Sequence, residues 1–280
     1  MKKIAIITNG KKDKNHIYTD KIVNRLNGVC SVSVANVEDD IISALDGADA
    51  AIILGGDGTI LSCASHAAIA NVPILGINLG TLGFLAEAEK SETDYAIDSL
   101  INGNFHIEER LMLEASVIRD NSEIAREYAL NDFVVSCSSF RRIMSTDVFV
   151  DDSFVSNFSG DGVIFATPTG STGYNLSAGG PIIDTALDCA VITPICPHTS
   201  FDTSVIVPSG KTIKAKLLES FSDNLLLTAD GQRGVELHAN DTIKINASSH
   251  RASIIKVHKR SLYEVMSLKK ITQKQERKDD

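Results

Sequence analysis

The sequence predicts an open α/β domain with a parallel sheet at its N-terminal end, followed by a β-sandwich domain. Over the first hundred residues, short continuous apolar runs alternate with helical patterns, which is typical of a parallel sheet covered by helices on both faces. From about Asn104 the helical patterns give way to short strand-like runs, as expected of a sandwich or a related all-β unit. The length of 280 residues suits two domains of roughly 150 residues each.

The first domain is predicted to alternate strands and helices from its first residues. The apolar run Ile4–Ile7 is closed at once by Thr8-Asn9-Gly10, so it fits a strand better than the apolar region of a signal peptide. Asn102-Gly103 is a suitable C-cap for the last helix of the domain. The predicted elements are the strands Lys3–Thr8, Cys30–Ala35, Ala50–Leu54 and Pro73–Ile77, and the helices Tyr18–Leu26, Asp39–Leu45, Ile60–Ala70 and Glu92–Ile101.

The second domain is predicted to consist of strands. Turn signals such as Asp151-Asp152 and Asp230-Gly231 separate many of them. The predicted strands are Leu111–Arg119, Ala125–Cys137, Thr146–Val150, Val163–Ala166, Val205–Pro208, Thr212–Leu217, Leu225–Ala229, Thr242–Ile245 and Ala252–Val257. The tail Lys269–Asp280 is densely charged and poor in apolar residues, so we expect a frayed end there.

Charge and cysteine content argue against several classes of protein. The formal net charge is -9 and no domain-sized stretch is strongly basic, which disfavours a nucleic-acid binder because such proteins use a basic face to neutralise phosphates. No apolar run reaches about 18 residues, so we expect no membrane-spanning helix. The five cysteines are widely scattered without a CxxC pair, which favours reduced thiols in a cytoplasmic protein over disulfides or a zinc site.

The first candidate site is Gly55-Gly56-Asp57-Gly58-Thr59, between a predicted buried strand and a helix. Ligands of parallel α/β sheets bind beyond the carboxyl ends of the strands, and a helix N-terminus there favours phosphate. Glycines let the backbone approach that phosphate. The aspartate would repel it unless the carboxylate binds a metal, accepts a proton or orients a sugar hydroxyl. We therefore interpret Asp57 as a catalytic or ligand-orienting residue.

The second candidate site is the polar stretch Gly160–Pro181, which reads GDGVIFATPTGSTGYNLSAGGP. Its hydroxyls and backbone amides suit the polar edges of a nucleoside, and Tyr174 offers a stacking face. Two weaker signals accompany it. Asn131-Asp132 beside a β-rich run indicates either a ligand contact or a bulge, because both are poor strand residues. The segment Ile74–Leu85 indicates either a loop that packs against the GGDGT turn or a strand with a tight turn.

Other phosphate-binding and metal-binding patterns are missing from the sequence. No second histidine stands at metal-ligand spacing from His198, and the Walker pattern GxxxxGK[ST] does not occur. Phosphoryl transfer would therefore use a different phosphate-binding scheme.

With these motifs in this order and spacing, the chain resembles the NAD kinase family from about Ile52 to Gln232. The segments that carry the resemblance are GGDGT, LGTLGFL, LND, GDGVIFATPTGSTGYNLSAGGPI, TPICPHTS and TADGQ. GGDGT alone is shared with lipid kinases and distantly with phosphofructokinases, whereas the TPTGSTGYNLSAGGP block is far more specific. The resemblance implies a phosphofructokinase-like α/β domain over residues 1–103 and a β-sandwich nucleotide-binding domain over residues 104–252. It also implies that residues 253–280 return to the first domain and end in the charged tail.

The resemblance implies an activity and a set of site residues. The terminal phosphoryl group of ATP would pass to the adenosine ribose 2'-hydroxyl of NAD, forming NADP, with a divalent cation such as Mg²⁺ and in a homodimer or homotetramer. Asp57 would be the general base or the carboxylate that orients the hydroxyl. The other residues implied in binding substrate or nucleotide are Gly55, Gly56, Gly58, Thr59, Phe84, Asn131, Asp132, Arg142, Asp161, Thr169, Thr172, Gly173, Tyr174, Asn175, Ser177 and Gln232.

The chain departs from common patterns of the family at several positions. Many members have Glu at the position of Asp132, and many have Arg near Ser159. The usual Arg-Pro after the PH segment is replaced by Thr203-Ser204. These differences bear on substrate details. Two alternatives also follow from the residues: a lipid kinase with the same GGDGT turn, which should show an apolar acceptor pocket, and a non-catalytic module that senses a nucleotide.

Overall fold

The computed structural model describes residues 1–80, 83–137, 143–198, 202–218 and 225–268. It divides into two compact units. The first comprises Met1–Glu109 together with Ala252–Asp280, and the second comprises Arg110–Arg251. The predicted tail Lys269–Asp280 lies outside the described residues.

The helices and strands are numbered in chain order. The helices are α1 (Ile17–Leu26), α2 (Ile41–Leu45), α3 (Asp57–Ile69), α4 (Thr93–Asn102) and α5 (Tyr174–Ser177), and residues 262–268 are also helical. The strands of the first unit are β1 (Lys3–Thr8), β2 (Ser31–Asn36), β3 (Ala50–Gly55), β4 (Ile74–Asn78), β5 (Ala88–Glu89), β6 (His106–Arg110) and β19 (Ala252–Lys256). The strands of the second unit are β7 (Leu113–Arg119), β8 (Ser122–Ala129), β9 (Asp132–Cys137), β10 (Met144–Val150), β11 (Ser153–Gly160), β12 (Gly162–Ala166), β13 (Cys189–Ile195), β14 (Val205–Pro208), β15 (Ile213–Leu217), β16 (Leu225–Ala229), β17 (Arg233–Leu237) and β18 (Thr242–Ala247).

The first unit is built on one sheet in the order β2-β1-β3-β4-β19-β6, with β5 beside β4. Strands β2, β1, β3, β4 and β19 run parallel to their neighbours, which confirms the predicted parallel sheet. Strands β3 and β4 are buried at every residue, as their continuous apolar sequence predicts. Because the strands are parallel, the loops after β1, β3 and β4 meet at one edge of the sheet.

The last strand of this sheet comes from the far end of the chain. Strand β19 lies beside β4, with Ile254 opposite Ile74. Its residue Ile255 is fully buried in the same core as Ile6 and Ile52. The first unit therefore needs residues from both ends of the sequence to complete its sheet.

The second unit contains two six-stranded sheets, in the orders β11-β10-β15-β18-β7-β8 and β14-β13-β12-β9-β16-β17. Adjacent strands pair antiparallel in both. A single core joins them, since Val117 and Val148 from one sheet cluster with Phe133 and Phe165 from the other. The predicted β-sandwich is confirmed.

Two predicted elements are wrong in detail. The predicted strand Ala125–Cys137 is two strands, β8 and β9, which belong to different sheets. The chain changes sheet at Leu130-Asn131, where backbone N–H groups donate to a side chain instead of to a strand. The helix predicted to begin at Ile60 begins at Asp57, so Asp57 lies in the first helical turn and not in a loop before it.

Several strands were not predicted, namely β5, β6, β11, β13 and β17. Strand β11 is partly exposed and mixes Ser and Asn with apolar residues without strict alternation, and β13 contains Pro194. Within the described residues, no helix is both long enough and apolar enough to span a membrane.

Candidate active site

The first group of candidate residues lies in the first unit, where β3 ends and α3 begins. Gly56 precedes the helix in an extended conformation, with φ -131° and ψ -173°. Thr59 is buried, and its Oγ1 accepts hydrogen bonds from Asn9 Nδ2 at 3.2 Å and from the backbone N–H of Gly56 at 3.5 Å. Gly58 is exposed in the first turn of α3. The turn is thus held by Thr59. Gly55 and Gly56 are buried, and only Gly58 is exposed.

The Asp57 carboxylate is held in one orientation by the segment that follows β4. Its Oδ2 accepts the backbone N–H of Phe84 at 2.7 Å, and its Oδ1 accepts that of Leu85 at 3.2 Å. A Cβ on Gly83 would lie only 1.8 Å from Oδ1, so no side chain fits at position 83. Of the two interpretations that the sequence left open for this segment, the structure shows the one in which it packs against the GGDGT turn. The structure brings Asp57 and Phe84 together, and both are partly exposed.

The second group of residues lies in the second unit around the switch from β8 to β9. Asp230 stands in a turn with φ 52°. Its Oδ2 accepts the N–H of Leu130 at 2.9 Å, and its Oδ1 accepts those of Asn131 at 2.6 Å and Asp132 at 3.1 Å. The carboxylate therefore ties the Asn131-Asp132 segment to the turn after β16, although the two are about a hundred residues apart in sequence.

Two buried carboxyl groups result from this arrangement. Burial raises the pKa of Asp132 to about 7, and the nearby charge of Asp230 adds to that effect. Burial also raises the pKa of Asp230 to about 6, although its three backbone hydrogen bonds oppose the shift. Asp132 is 5% exposed, and among the described residues its carboxyl group has no hydrogen-bond partner.

The segment after β12 packs directly on Asn131-Asp132. Thr167 Oγ1 donates to the Leu130 carbonyl at 2.6 Å, and its backbone N–H donates to the Asn131 carbonyl at 2.8 Å. A Cβ on Gly173 would lie 3.4 Å from Asn131 Nδ2 and 3.9 Å from Asp132 Oδ2. The structure thus brings Gly173 together with Asn131 and Asp132.

Tyr174 connects this group to Asp161. The ring of Tyr174 is partly exposed. Burial raises the pKa of Tyr174, and the charges of Cys196, Asp161 and Asp132 add to the shift. A hydrogen bond to Asp161, together with its charge, raises the pKa of the Cys196 thiol. Cys196 was not predicted as a site residue, and its position in TPICPHTS is the only signal in the sequence.

Asn175 is an internal support of the same segment. It is fully buried, and its Nδ2 donates to the Ser171 and Pro181 carbonyls at 3.0 Å each. Its Oδ1 accepts the Thr193 hydroxyl at 2.7 Å. A ligand contact by this side chain would require one of these bonds to be exchanged, so Asn175 chiefly fixes the backbone that carries Tyr174.

The remaining candidate residues have less defined surroundings. Thr169 is buried and lies 3.5 Å from Arg110 Nη1, and Thr172 Oγ1 donates to the Thr169 carbonyl at 3.3 Å. Ser177 is exposed at the end of α5, and Gln232 is exposed in the turn after Asp230. Arg142 lies outside the described residues.

No described group of three or more His, Cys, Asp or Glu side chains is arranged to hold a metal ion. All five cysteines are free thiols.

The fold is shared with solved kinases of nicotinamide dinucleotides. One is a yeast NADH kinase complexed with NADH, at a TM-score of 0.83 and 24% identity, covering 93% of this chain and 84% of that one. Another is an NAD kinase from Archaeoglobus fulgidus in complex with ATP, at a TM-score of 0.76 and 25% identity. The match covers 95% of this chain and 99% of that one. Together with the GGDGT turn and the polar segment after β12, this places the protein in the class of dinucleotide kinases.

Sequence relatives narrow that class to one family. Residues 4–105 match the ATP-NAD kinase N-terminal domain, and residues 130–257 match the ATP-NAD kinase C-terminal domain. The NAD kinase of Ruminiclostridium cellulolyticum is 37% identical over 99% of this chain and 100% of its own length. The NAD kinase of Natranaerobius thermophilus is 43% identical over 84% of this chain and 81% of its own length. The chain belongs to the NAD kinase family, and the alternative of a lipid kinase is set aside.

Proposed function

We propose that this protein transfers the terminal phosphoryl group of ATP to the 2'-hydroxyl of the adenosine ribose of NAD, forming NADP and ADP. The observation that carries the proposal is the Asp57 carboxylate, which Phe84 and Leu85 hold by their N–H groups at the GGDGT turn. Those bonds leave further lone pairs on the carboxylate oxygens free to accept a proton. The full-length match to relatives named NAD kinase supports this choice of reaction.

In the proposed mechanism Asp57 acts as the general base. It accepts the proton of the 2'-hydroxyl while that oxygen bonds to the terminal phosphorus, and the bond from phosphorus to the bridging oxygen of ADP breaks. Transfers of this kind depend mainly on positioning and on neutralising charge. The glycines of the turn would let backbone N–H groups contact phosphate oxygens at the N-terminus of α3.

The second unit would bind the nucleotide. Asn131, Asp132 and Gly173 form one polar group, to which Tyr174 adds a partly exposed ring for stacking. Asp161 and its hydrogen-bonded neighbour Cys196 are near enough for their charges to raise the pKa of Tyr174. The remaining proposed nucleotide contacts are Thr169, Thr172, Asn175, Ser177, Gln232 and Arg142.

A divalent cation, most simply Mg²⁺, would neutralise the negative charge of the transferring phosphate. Mg²⁺ commonly binds proteins through one or two carboxylates plus substrate phosphates, so the single acidic group of the turn, Asp57, fits such an ion. We further propose a cytoplasmic homodimer or homotetramer. Five free thiols agree with a reducing compartment, and the oligomer rests on the family resemblance.

The test is formation of NADP from NAD, ATP and Mg²⁺, measured with an NADP-specific dehydrogenase. Asp57→Asn should lower kcat by about 10²- to 10⁴-fold, the usual contribution of a general base. Asp20→Asn is the matched control, because Asp20 is exposed on α1 and should keep full activity. If the wild-type protein formed no NADP, the proposal would be wrong, and nucleotide binding without turnover would indicate the sensing module instead.

A further inference from the structure

We infer that Lys12 binds the phosphate oxygens of a nucleotide held at the GGDGT turn, an inference that rests on the proposed function. Lys12 lies in the loop after β1, outside every motif that indicated the site. The chemistry that it would recognise is a nucleoside di- or triphosphate chain, which both ATP and NAD carry.

The position of the Lys12 ammonium group is the first argument. A Cβ on Gly56 would lie 2.7 Å from Lys12 Nζ, and a Cβ on Gly80 would lie 3.7 Å from it. The cation therefore stands over two glycines that follow neighbouring parallel strands, β3 and β4. Backbone without side chains, a helix N-terminus and a cation converge there, and each of the three favours phosphate.

The second argument is that this ammonium group has no partner. Among the described residues, Lys12 Nζ makes no hydrogen bond and no ion pair, and the side chain is exposed. Its neighbour Lys11 behaves differently, because Lys11 Nζ forms an ion pair with Glu38 at 2.8 Å. The charge of Lys11 is thus paired on the protein surface, whereas Lys12 keeps all three of its N–H donors available.

The third argument is that the backbone on both sides of Lys12 is fixed. Before it, the Asn9 carbonyl accepts the N–H groups of Lys12 and Asp13 at 2.8 Å each, and Asn9 itself donates to the Leu54 carbonyl at 3.0 Å. After it, the buried Asp13 carboxylate accepts the Thr19 hydroxyl at 2.6 Å and the N–H groups of Tyr18 and Thr19 at 3.0 Å. The loop is therefore tied to β3 on one side and to α1 on the other, and only the lysine side chain is left to adapt to a ligand.

The charge of the site makes such a cation useful. The chain carries a formal net charge of -9, and the turn itself contains the Asp57 carboxylate. A polyphosphate approaching Asp57 meets repulsion that a compact, mobile ammonium group can offset. Lysine is the residue commonly used as a point charge at phosphates, where a planar fork is not required.

The experiment compares Lys12→Met, Lys12→Arg and the matched control Lys11→Met as full-length proteins. Binding of ATP and of NAD is measured separately by titration calorimetry, without turnover. Lys12→Met should weaken binding of at least one of the two by roughly tenfold or more, the usual effect of losing a charge-assisted hydrogen bond. Lys12→Arg should retain part of the affinity, Lys11→Met should match the wild type, and all three should melt at the wild-type temperature.

The separate ATP and NAD titrations show which nucleotide supplies the phosphate groups that Lys12 contacts. Weakened ATP binding alone places Lys12 at the donor triphosphate, and weakened NAD binding alone places it at the dinucleotide pyrophosphate. In either case, the affinity of Lys12→Met for that nucleotide should depend less steeply on salt concentration than the wild-type affinity does, since salt screens the charge interaction that the variant lacks.

The inference fails if Lys12→Met binds both nucleotides as the wild type does, or if the wild type binds neither. A wild type that makes no NADP but loses ATP affinity on Lys12→Met would refute the proposed reaction and leave this inference standing.

Discussion

Asp132 and Asp230 are two carboxyl groups that the fold takes out of water in the same small region. Asp230 accepts three backbone N–H groups, which offset part of the cost of its burial. Asp132 has no such compensation among the described residues and is 5% exposed. Removing a carboxylate from water without partners favours its protonated form, which explains why its pKa reaches about 7.

A pH dependence of stability follows for Asp132. Its pKa rises from an ordinary value of 3.8 in the unfolded chain to about 7 in the folded protein. The folded state therefore holds the proton more tightly, and the stability gained is present below pH 3.8 and is lost as the pH rises through about 7. Asparagine cannot ionise and does not lose this stability. The melting temperature of Asp132→Asn minus that of the wild type should therefore increase as the pH rises from about 5 to 8.

Differential scanning calorimetry at several pH values checks this prediction. Asp20→Asn, on an exposed helical surface, serves as the control and should show a pH-independent difference from wild type. A constant difference for Asp132→Asn as well would mean that Asp132 is not protonated in the folded protein near neutral pH.

At the scale of elements, the contact between α3 and the segment after β4 determines where the Asp57 carboxylate points. The contact requires a glycine at position 83, because the Asp57 carboxylate oxygens occupy the space that a side chain there would fill. It also explains the second glycine of LGTLGFL, Gly83. The sequence alone left this segment open between a packed loop and a strand with a tight turn.

Gly83→Ala should therefore reduce activity sharply. The added Cβ would fall 1.8 Å from Asp57 Oδ1, so the carboxylate must move away from the Phe84 and Leu85 N–H groups. We expect kcat to fall by about 10²-fold or more, since misplacing a reacting group by about an ångström can have that effect. The comparison is Gly210→Ala in a turn of the second unit, where a Cβ meets nothing within 4 Å. Equal activity of the two variants in the NADP assay would show that the Asp57 orientation does not matter.

At the scale of the whole molecule, the first unit depends on a strand that the chain supplies last. Ile255 on β19 is fully buried in the core with Ile6 and Ile52. Ile255→Ala should lower the free energy of unfolding by about 2–5 kcal/mol, as deletion of buried aliphatic groups does. Ile107 on β6 is 46% exposed, and Ile107→Ala should cost clearly less. Urea denaturation monitored by circular dichroism provides the measurement, and equal losses for both variants would contradict a buried role for β19.

The sequence predicts those features that local pattern determines. The buried strands β1, β3 and β4 are continuous apolar runs and were predicted within about one residue at each end. The C-cap predicted at Asn102-Gly103 is also confirmed, with Gly103 in the left-handed conformation. The run Ala125–Cys137 was taken as one strand because its pattern is continuous, whereas the break at Leu130-Asn131 is imposed by Asp230 from a hundred residues away. Tertiary contacts of that kind have no local signature. Cys196 and Asp230 lie in the segments TPICPHTS and TADGQ, but for the same reason the sequence could not show that Asp230 binds the backbone of Asn131-Asp132 or that Cys196 contacts Asp161.

The return of β19 to the first sheet also has a consequence for how the protein is made. The N-terminus of a chain leaves the ribosome first, so β1 to β6 emerge long before Ala252–Lys256 do. During that interval β4 lacks β19, and only the short strand β5 pairs with Ile77 and Asn78 on that side. An unpaired strand edge can pair with other chains. The sandwich, whose strands all lie between Arg110 and Arg251, can fold earlier as a unit. We therefore expect the first unit, most of which is synthesised first, to complete its fold last.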